Sequence, residues 1–178
     1  ANIPMPIPEP PAVLGQLKIQ HRETLGGVIQ NIYGAFNPGY LKSVVKMNPH
    51  IIDPDTIKIG EVILFPAIPA QVSRPATQHW FVEVKNTDTI EAAFTFLRKF
   101  SKMRRTFRLV PYWNQTSGLH FSILLDRYFF DKASALSKLN TLPDALKTDA
   151  KAVSGWNNHT VFYADPYKET DHRVGTTY

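Results

Sequence analysis

The sequence predicts an α+β protein built from two small modules, and three observations support this fold class. Residues 17–66 carry apolar patterns in the order strand, helix, helix, strand, which is a βααβ module. Residues from 79 onward follow the order βαββα, and a closing strand would complete a βαββαβ antiparallel sheet with two helices. Prolines cluster before the first block and between the two blocks, where extended linkers are expected.

These patterns divide the 178 residues into five segments. They are a proline-rich linker at 1–14, a first module at 15–68, a second linker at 69–77, a second module at 78–165 and a C-terminal tail at 166–178. We expect the two modules to fold independently. The proline-rich stretch 66–75 is then expected to carry few tertiary contacts.

The first module opens with a short alternating strand at 17–21. Thr24 is suited to cap the helix that follows. The apolar residues of that helix keep helical spacing and are Leu25, Val28, Ile29 and Ile32. The second helix has its buried face at Tyr40, Leu41, Val44 and Val45. It ends at Asn48-Pro49, and a turn and a closing strand follow within 57–66.

This block resembles a LysM domain, with which bacteria and their phages hold N-acetylglucosamine-containing glycans, chiefly peptidoglycan. The motifs that carry the resemblance are Glu23-Thr24-Leu25, Ile32-Tyr33-Gly34, Asn48-Pro49, and Ile57 and Gly60 followed by Leu64-Phe65-Pro66. It implies a glycan site formed by two loops, with the ligand residues Arg22, Glu23, Thr24, Leu25, Asn48, Pro49, His50, Ile51 and Ile52. Free N–H groups at a helix start and carbonyls of the second loop can bind acetamido groups. Arg22 stands where the family usually has glycine, so a positive φ there would carry a steric penalty.

The second module begins with an alternating strand at 79–84, and Asp88 is expected to cap the helix that follows. That helix has its apolar side at Ile90, Ala93, Phe94 and Leu97. Two strands at 107–113 and 119–125 precede a second helix at 131–139, whose inward residues are predicted as Ala135, Leu136 and Leu139. The last strand is expected at 151–153 or at 160–163, and the pattern does not separate the two.

Residues 79–156 resemble a SPOR domain, an envelope module that binds glycan strands stripped of their stem peptides. The resemblance rests on the opening strand, on Phe121, and on Ala135, Leu139 and Leu142-Pro143. It implies a ligand-binding sheet face with Phe81, Glu83, Asn86 and Phe121. Alternation independently predicts Val82 and Val84 against the helices and Phe81 and Glu83 outward. In the alternative, Phe81 is covered by a terminal segment or a partner chain.

The family patterns are not matched everywhere in this module. Glu83 replaces a usual glutamine, Phe121 replaces a frequent tryptophan, and Ala152 falls where an aromatic residue is often seen.

A competing hypothesis comes from the basic run 98–108, in which six of eleven residues are lysine or arginine and Phe100 and Phe107 are interleaved. Such a run can bind phosphates, and an antiparallel βαββαβ sheet is also the plan of an RNA-recognition domain. The alternative function is therefore nucleic-acid binding or protein interaction on this sheet. The run is also typical of a solvated helix end.

Composition agrees with an envelope protein that binds anionic or glycan partners. The net charge is +5 and no cysteine is present, which excludes thiolate metal sites and thiol nucleophiles in this chain. The six histidines are scattered, no catalytic motif is found, and Asp53 and Asp55 fit a turn better than a hydrolytic pair. We therefore expect no enzyme activity, no metal and no cofactor.

The same features predict a targeting fragment of a larger bacterial protein in the periplasm or cell envelope. No apolar run is long enough for a transmembrane helix, and we expect any signal or anchor to lie outside this fragment. The expected partners are peptidoglycan glycan strands and envelope or division proteins.

Overall fold

A computed structural model describes residues 3–72 and 78–168, and its elements follow the predicted order. The first block contains β1 (Val13–Lys18), α1 (Leu25–Tyr33), α2 (Pro38–Met47) and β2 (Val62–Pro66), with a 3-10 helix at Pro54–Thr56. The second block contains β3 (Trp80–Thr87), α3 (Ile90–Lys99), a 3-10 helix at Ser101–Thr106, β4 (Phe107–Asn114), β5 (Gly118–Leu125), α4 (Lys132–Asn140), α5 (Asp144–Lys147), β6 (Lys151–Ser154) and β7 (Val161–Phe162). The protein is thus α+β, as predicted.

The first block forms a two-stranded antiparallel sheet of β1 and β2, and its helices begin where cap residues place them. The Thr24 hydroxyl accepts a hydrogen bond from the Gly27 N–H at 3.1 Å, which confirms Thr24 as the N-cap of α1. Asn37 caps α2 in the same way, with Pro38 at the first helical position. Asp53 caps the short 3-10 helix, which agrees with the predicted turn role.

The second block forms a five-stranded antiparallel sheet with the strand order β6-β3-β5-β4-β7. Both candidates for the last strand are strands, and they lie at opposite edges of the sheet. β6 pairs with β3, whereas β7 pairs with β4. The sequence pattern does not separate these two candidates, and the structure uses one at each edge.

Two details of the helices differ from the predictions. The N-cap of α3 is Thr89 and not Asp88, because the Thr89 hydroxyl accepts from the Ala92 N–H at 3.2 Å. In α4, Ala135 is buried but Leu136 is exposed, which contradicts its predicted inward position. Consecutive helix residues are rotated by about 100° from each other, so both cannot lie at the centre of one buried stripe.

The two blocks share one hydrophobic core, in which β1 packs against α3 and α1 packs against β4. Gly15 in β1 has φ +141°, and a Cβ atom there would lie 2.6 Å from Cγ2 of Ile90. A glycine is therefore required where β1 crosses the start of α3. The continuous core favours one cooperative unit over two modules that fold separately.

The proline-rich stretch 66–75 also makes tertiary contacts where the structure describes it. The Ala67 N–H donates to the Ala12 carbonyl, and the Ala70 N–H donates to the Phe162 carbonyl at 2.8 Å. Residues 66–72 thus differ from the expectation of few contacts, while residues 73–77 lie outside the described part of the chain. In the predicted tail, Pro166 is buried and Tyr167 packs on the sheet; residues 169–178 are again outside that part.

Candidate functional site

A groove of about 480 Å³ opens beside the first turn of α1. One wall is formed by residues 20–24 and α1, and the opposite wall by α3 and the 3-10 helix after it. The predicted ligand residues Arg22, Glu23 and Thr24 line it. Phe94 and Leu97 border it from α3, but both side chains belong to the core and are 3% and 1% exposed.

Arg22 has a left-handed backbone conformation, with φ +67°. It is the one residue other than glycine with a positive φ among residues 3–72 and 78–168. The turn therefore has the geometry that the glycine of the resembled family would adopt without strain, and the predicted steric penalty applies.

Glu23 is held by the second block. Its Oε1 accepts from Arg98 Nε at 2.8 Å, and its Oε2 accepts from Arg98 Nη2 at 2.8 Å and from the Gln20 N–H at 2.9 Å. Burial raises the pKa of Glu23, but these hydrogen bonds and the charges of Arg98 and Arg104 outweigh it, so the pKa lies below its usual value. Glu23 thus positions Arg98 and fastens the turn to α3, and its carboxylate is not a free ligand group.

In the second predicted ligand loop, residues 48–52, the side chain of Asn48 has a structural role. The Asn48 side chain is buried, and its Nδ2 donates to the carbonyls of Val44 and Leu64 at 2.7 and 2.8 Å. Its Oδ1 accepts from the Leu64 N–H at 2.8 Å, so Asn48 joins α2 to β2 as a structural residue.

The remaining residues of the two predicted loops divide by burial. Leu25 and Ile51 belong to the core, which contradicts their prediction as ligand residues. Pro49, His50 and Ile52 are exposed, but none of residues 48–52 lines the groove beside α1. The wall of that groove opposite the first turn of α1 is formed by α3 instead of the second loop.

We use the name outer face for the sheet surface formed by Phe81, Val110, Tyr112, Leu124 and Phe162, which is opposite the helices. Phe81 is only 3% exposed. Its ring packs against Trp156 and Tyr167, with centroid distances of 5.6 and 6.2 Å. The prediction that Phe81 is open to a ligand is therefore wrong, because the segment 156–167 covers it, as the alternative held.

Glu83 lies on the outer face, as alternation predicts, but it is also buried. Its carboxylate accepts hydrogen bonds from the Ser122 hydroxyl and from Asn86 Nδ2, and Lys151 Nζ lies 3.6 Å from Oε1. Asn86 Oδ1 in turn lies 3.0 Å from His120 Nδ1. Glu83 and Asn86 are thus occupied by one internal polar network, which satisfies the buried charge.

Phe121 lies on the other side of the sheet from Phe81 and Glu83, which contradicts its predicted place in the same ligand face. Glu83 pairs with Leu124, whereas Phe121 is three residues from Leu124 and therefore points to the helix side. Phe121 is fully buried there with Ile123 and Leu125. It is a core residue and not a ligand platform.

Two further grooves continue the first one along α1, and we call the three together the α1 cleft. The middle groove holds about 280 Å³ and shares Gly27, Asn31 and Arg104 with the first. The end groove holds about 470 Å³ and shares Gly34 and Arg108 with the middle one.

Arg104 and Arg108 bring buried positive charge into the α1 cleft. Burial lowers the pKa of both guanidinium groups, and this is partly offset by Glu23 at Arg104 and by Asp165 and Asp126 at Arg108. The basic run 98–108 is evident in the sequence, but its position facing α1 is not. That contact joins residues more than 70 positions apart, as the Glu23–Arg98 pair does, so no local pattern reports it.

The part of the chain that the structure describes holds no group of three His, Asp or Glu side chains placed to bind one metal ion. Within the same ranges no helix has the length and apolar character needed to cross a membrane. Comparisons with protein-family models, with curated proteins and with solved structures find no match. The α1 cleft combines predicted ligand residues with buried donors, an arrangement suited to noncovalent binding of an extended polar ligand.

Proposed function

We propose that this chain binds peptidoglycan, or another glycan containing N-acetylglucosamine, without catalysing a reaction, and that it targets a larger protein to the bacterial envelope. In this proposal residues 15–68 are a LysM-like module and residues 78–165 a SPOR-like module that supports it. The observation that carries the proposal is the groove beside the first turn of α1, because three predicted ligand residues line it.

The chemistry of the groove suits an acetylated sugar. The first N–H groups of a helix have no main-chain partner within the helix, although here the Gly27 N–H is bonded to the Thr24 hydroxyl. Gly27 lines the groove without a side chain that would narrow it. The Asn31 side chain lines the same groove and can both donate to and accept from an acetamido group.

The outer face is not the binding surface in this proposal. Phe81 and Glu83 are covered and Phe121 belongs to the core, so these side chains cannot stack on or bind a glycan without unfolding part of the sheet. The second block contributes instead through α3 and the 3-10 helix, which form the opposite wall of the groove.

A titration of the whole chain with chitin oligomers, followed by NMR, tests the site. We expect shifts at residues 20–31 and 94–104 and an affinity of about millimolar to micromolar, because a half-open groove buries few contacts. Retention on purified sacculi, with and without amidase treatment, extends the test to the natural polymer. Shifts confined to residues 48–52, or none at high ligand concentration, would contradict the proposed site.

A matched pair of substitutions makes this test specific. Ser101 is exposed and lines the groove, so Ser101→Trp is expected to fill it and abolish binding of chitin oligomers. Ser137 is exposed on α4, so Ser137→Trp makes the same change elsewhere and is expected to leave binding intact. Equal binding by both variants at unchanged melting temperature would exclude the groove.

Nucleic-acid binding is the second candidate, because Arg98, Arg104 and Arg105 of the basic run line the α1 cleft. Binding through the sheet is not favoured, since Phe81 and Phe121 offer no exposed ring. Retention on single-stranded RNA with a steep loss at higher salt, together with no retention on sacculi, would favour this candidate.

A further inference from the structure

Arg108 lines the α1 cleft, and one edge of its guanidinium group is buried without a hydrogen-bond partner in the described part of the chain. The side chain is 8% exposed and lines the middle and end grooves. Its Nη1 donates to the main-chain carbonyls of Pro166 and Lys168. Its Nε and Nη2 have no hydrogen-bond partner among the described residues. These two nitrogens form the edge with which arginine binds two oxygens of one anion.

Arg104 adds a second unpaired donor to the same groove. Its Nη2 is buried without a hydrogen-bond partner within residues 3–72 and 78–168, and its side chain lines the middle groove together with Arg108. Gly34 at the end of α1 lies beside this edge of Arg108, since a Cβ atom there would be 3.7 Å from Arg108 Nη2. Buried donors without partners are costly, so a ligand that satisfies them gains free energy.

We propose that the middle of the α1 cleft is a binding site for a phosphate group, held by the Nε and Nη2 edge of Arg108 and by Nη2 of Arg104. Three donor nitrogens on two cations match the several oxygens and double negative charge of a phosphate better than the two oxygens and single charge of a carboxylate. Asp126 in the middle groove and Asp165 in the end groove lie near Arg108 and reduce, without cancelling, the positive charge of Arg104, Arg105, Arg108 and Lys168. This site is separate from the proposed glycan function and does not rest on it.

Isothermal titration of the whole chain with inorganic phosphate, at constant ionic strength, tests the site. Chloride and acetate serve as competing anions, and glucose 6-phosphate is compared with glucose. We expect saturable phosphate binding with a Kd of about 1 mM or tighter, and no saturable binding of acetate, chloride or glucose. Equal affinity for phosphate and glucose 6-phosphate would identify an isolated anion site, whereas tighter binding of glucose 6-phosphate would show that a sugar phosphate occupies the cleft.

Two arginine substitutions locate the site. Arg104→Gln is expected to weaken phosphate binding about tenfold or more, because it removes a charge-assisted donor. Arg105→Gln removes the same charge from an exposed neighbour that lines the same groove and is expected to change binding by less than about threefold. Arg108→Lys keeps the charge but lacks the two-nitrogen edge, so it is also expected to weaken binding about tenfold. If Arg108→Lys does not fold, the Arg104 and Arg105 pair decides the result.

Three outcomes would overturn the proposal. They are the absence of saturable phosphate binding to the unsubstituted protein, equal affinities for acetate and phosphate, and equal phosphate affinities of the Arg104→Gln and Arg105→Gln variants.

Discussion

The turn at residues 22–24 and the outer face of the five-stranded sheet both have predicted ligand residues, but only the turn borders an open groove. On the outer face, alternation correctly places Phe81 and Glu83 away from the helices, yet the segment 156–167 covers them. At the turn, the opposite wall comes from α3 and leaves space. Local patterns thus determine which way a side chain points, whereas distant segments determine whether it meets solvent.

The two regions also differ in what stabilises them. The outer face is held by packing of large aromatic rings, which is the behaviour of a core. The turn is held by the Thr24 cap and the Glu23–Arg98 ion pair, against the cost of a left-handed Arg22. Substitutions at the outer face are therefore expected to cost stability, and those at the turn are expected to have smaller effects of either sign.

The largest effect is expected from Phe81→Ala and Phe121→Ala. Phe81 is 3% exposed and Phe121 is fully buried, so each truncation leaves a cavity and is expected to cost about 3 to 5 kcal/mol of unfolding free energy. Phe130→Ala is the control, since that ring is 74% exposed and is expected to cost less than about 1 kcal/mol. Urea denaturation measures the free energies, and sacculus retention of the folded fraction is expected to stay unchanged. Loss of retention at unchanged stability would restore the outer face as a ligand surface.

Features that depend on residues close together in the chain are predicted from the sequence, whereas features that depend on distant residues are not. The Thr24 cap and the end of α2 at Asn48 depend on neighbouring residues and were predicted. The sheet position of Phe121 is not predicted, because it depends on the register between β3 and β5: Glu83 pairs with Leu124, and Phe121 lies an odd number of residues from Leu124. The α1 cleft was not predicted either, since its walls come from separate blocks of the chain.

The second-largest loss of stability is expected at Gly15, where β1 of the first block packs on α3. Gly15→Ala is expected to cost about 2 to 4 kcal/mol, because it adds both a clash with Ile90 and strain at a positive φ. Gly60→Ala is the matched control, since Gly60 also has a positive φ but a Cβ there meets nothing within 4 Å. Its expected cost is about 1 to 2 kcal/mol, from backbone strain alone. Similar costs at both positions would mean that the packing of β1 on α3 contributes little.

The same experiment tests whether the two blocks fold independently. With a shared core, Gly15→Ala is expected to shift one cooperative transition, seen alike by circular dichroism and tryptophan fluorescence. Two separate transitions, of which only one moves, would instead support the independent modules that the proline-rich linker predicts.

A smaller effect is expected from Glu23→Gln, which weakens the ion pair between the turn and α3. The side chains are largely buried and joined by two short hydrogen bonds, so the expected cost at neutral pH is about 1 to 2 kcal/mol. Because folding lowers the pKa of Glu23, its contribution is present above the usual value of 4.5 and is lost as pH falls through the lowered pKa. The difference in stability between the two proteins is therefore expected to shrink in acid, as urea titrations at several pH values would show. A difference that stays constant down to pH 3 would contradict this role of Glu23.

The smallest effect is a gain of stability at Arg22. Glycine adopts φ +67° without a Cβ penalty, so Arg22→Gly is expected to stabilise the protein by about 0.5 to 1 kcal/mol after the added flexibility of the unfolded chain is counted. Arg22→Asn is expected to give a smaller gain, because asparagine tolerates this conformation, and Arg22→Ala is expected to give none. This ranking separates backbone strain from loss of charge, since all three substitutions remove the same guanidinium group. If Gly, Asn and Ala give equal stabilities, repulsion between Arg22 and neighbouring cations, and not its backbone conformation, would account for the change. Chitin titrations of the same variants then measure what the Arg22 side chain contributes to the groove that it lines.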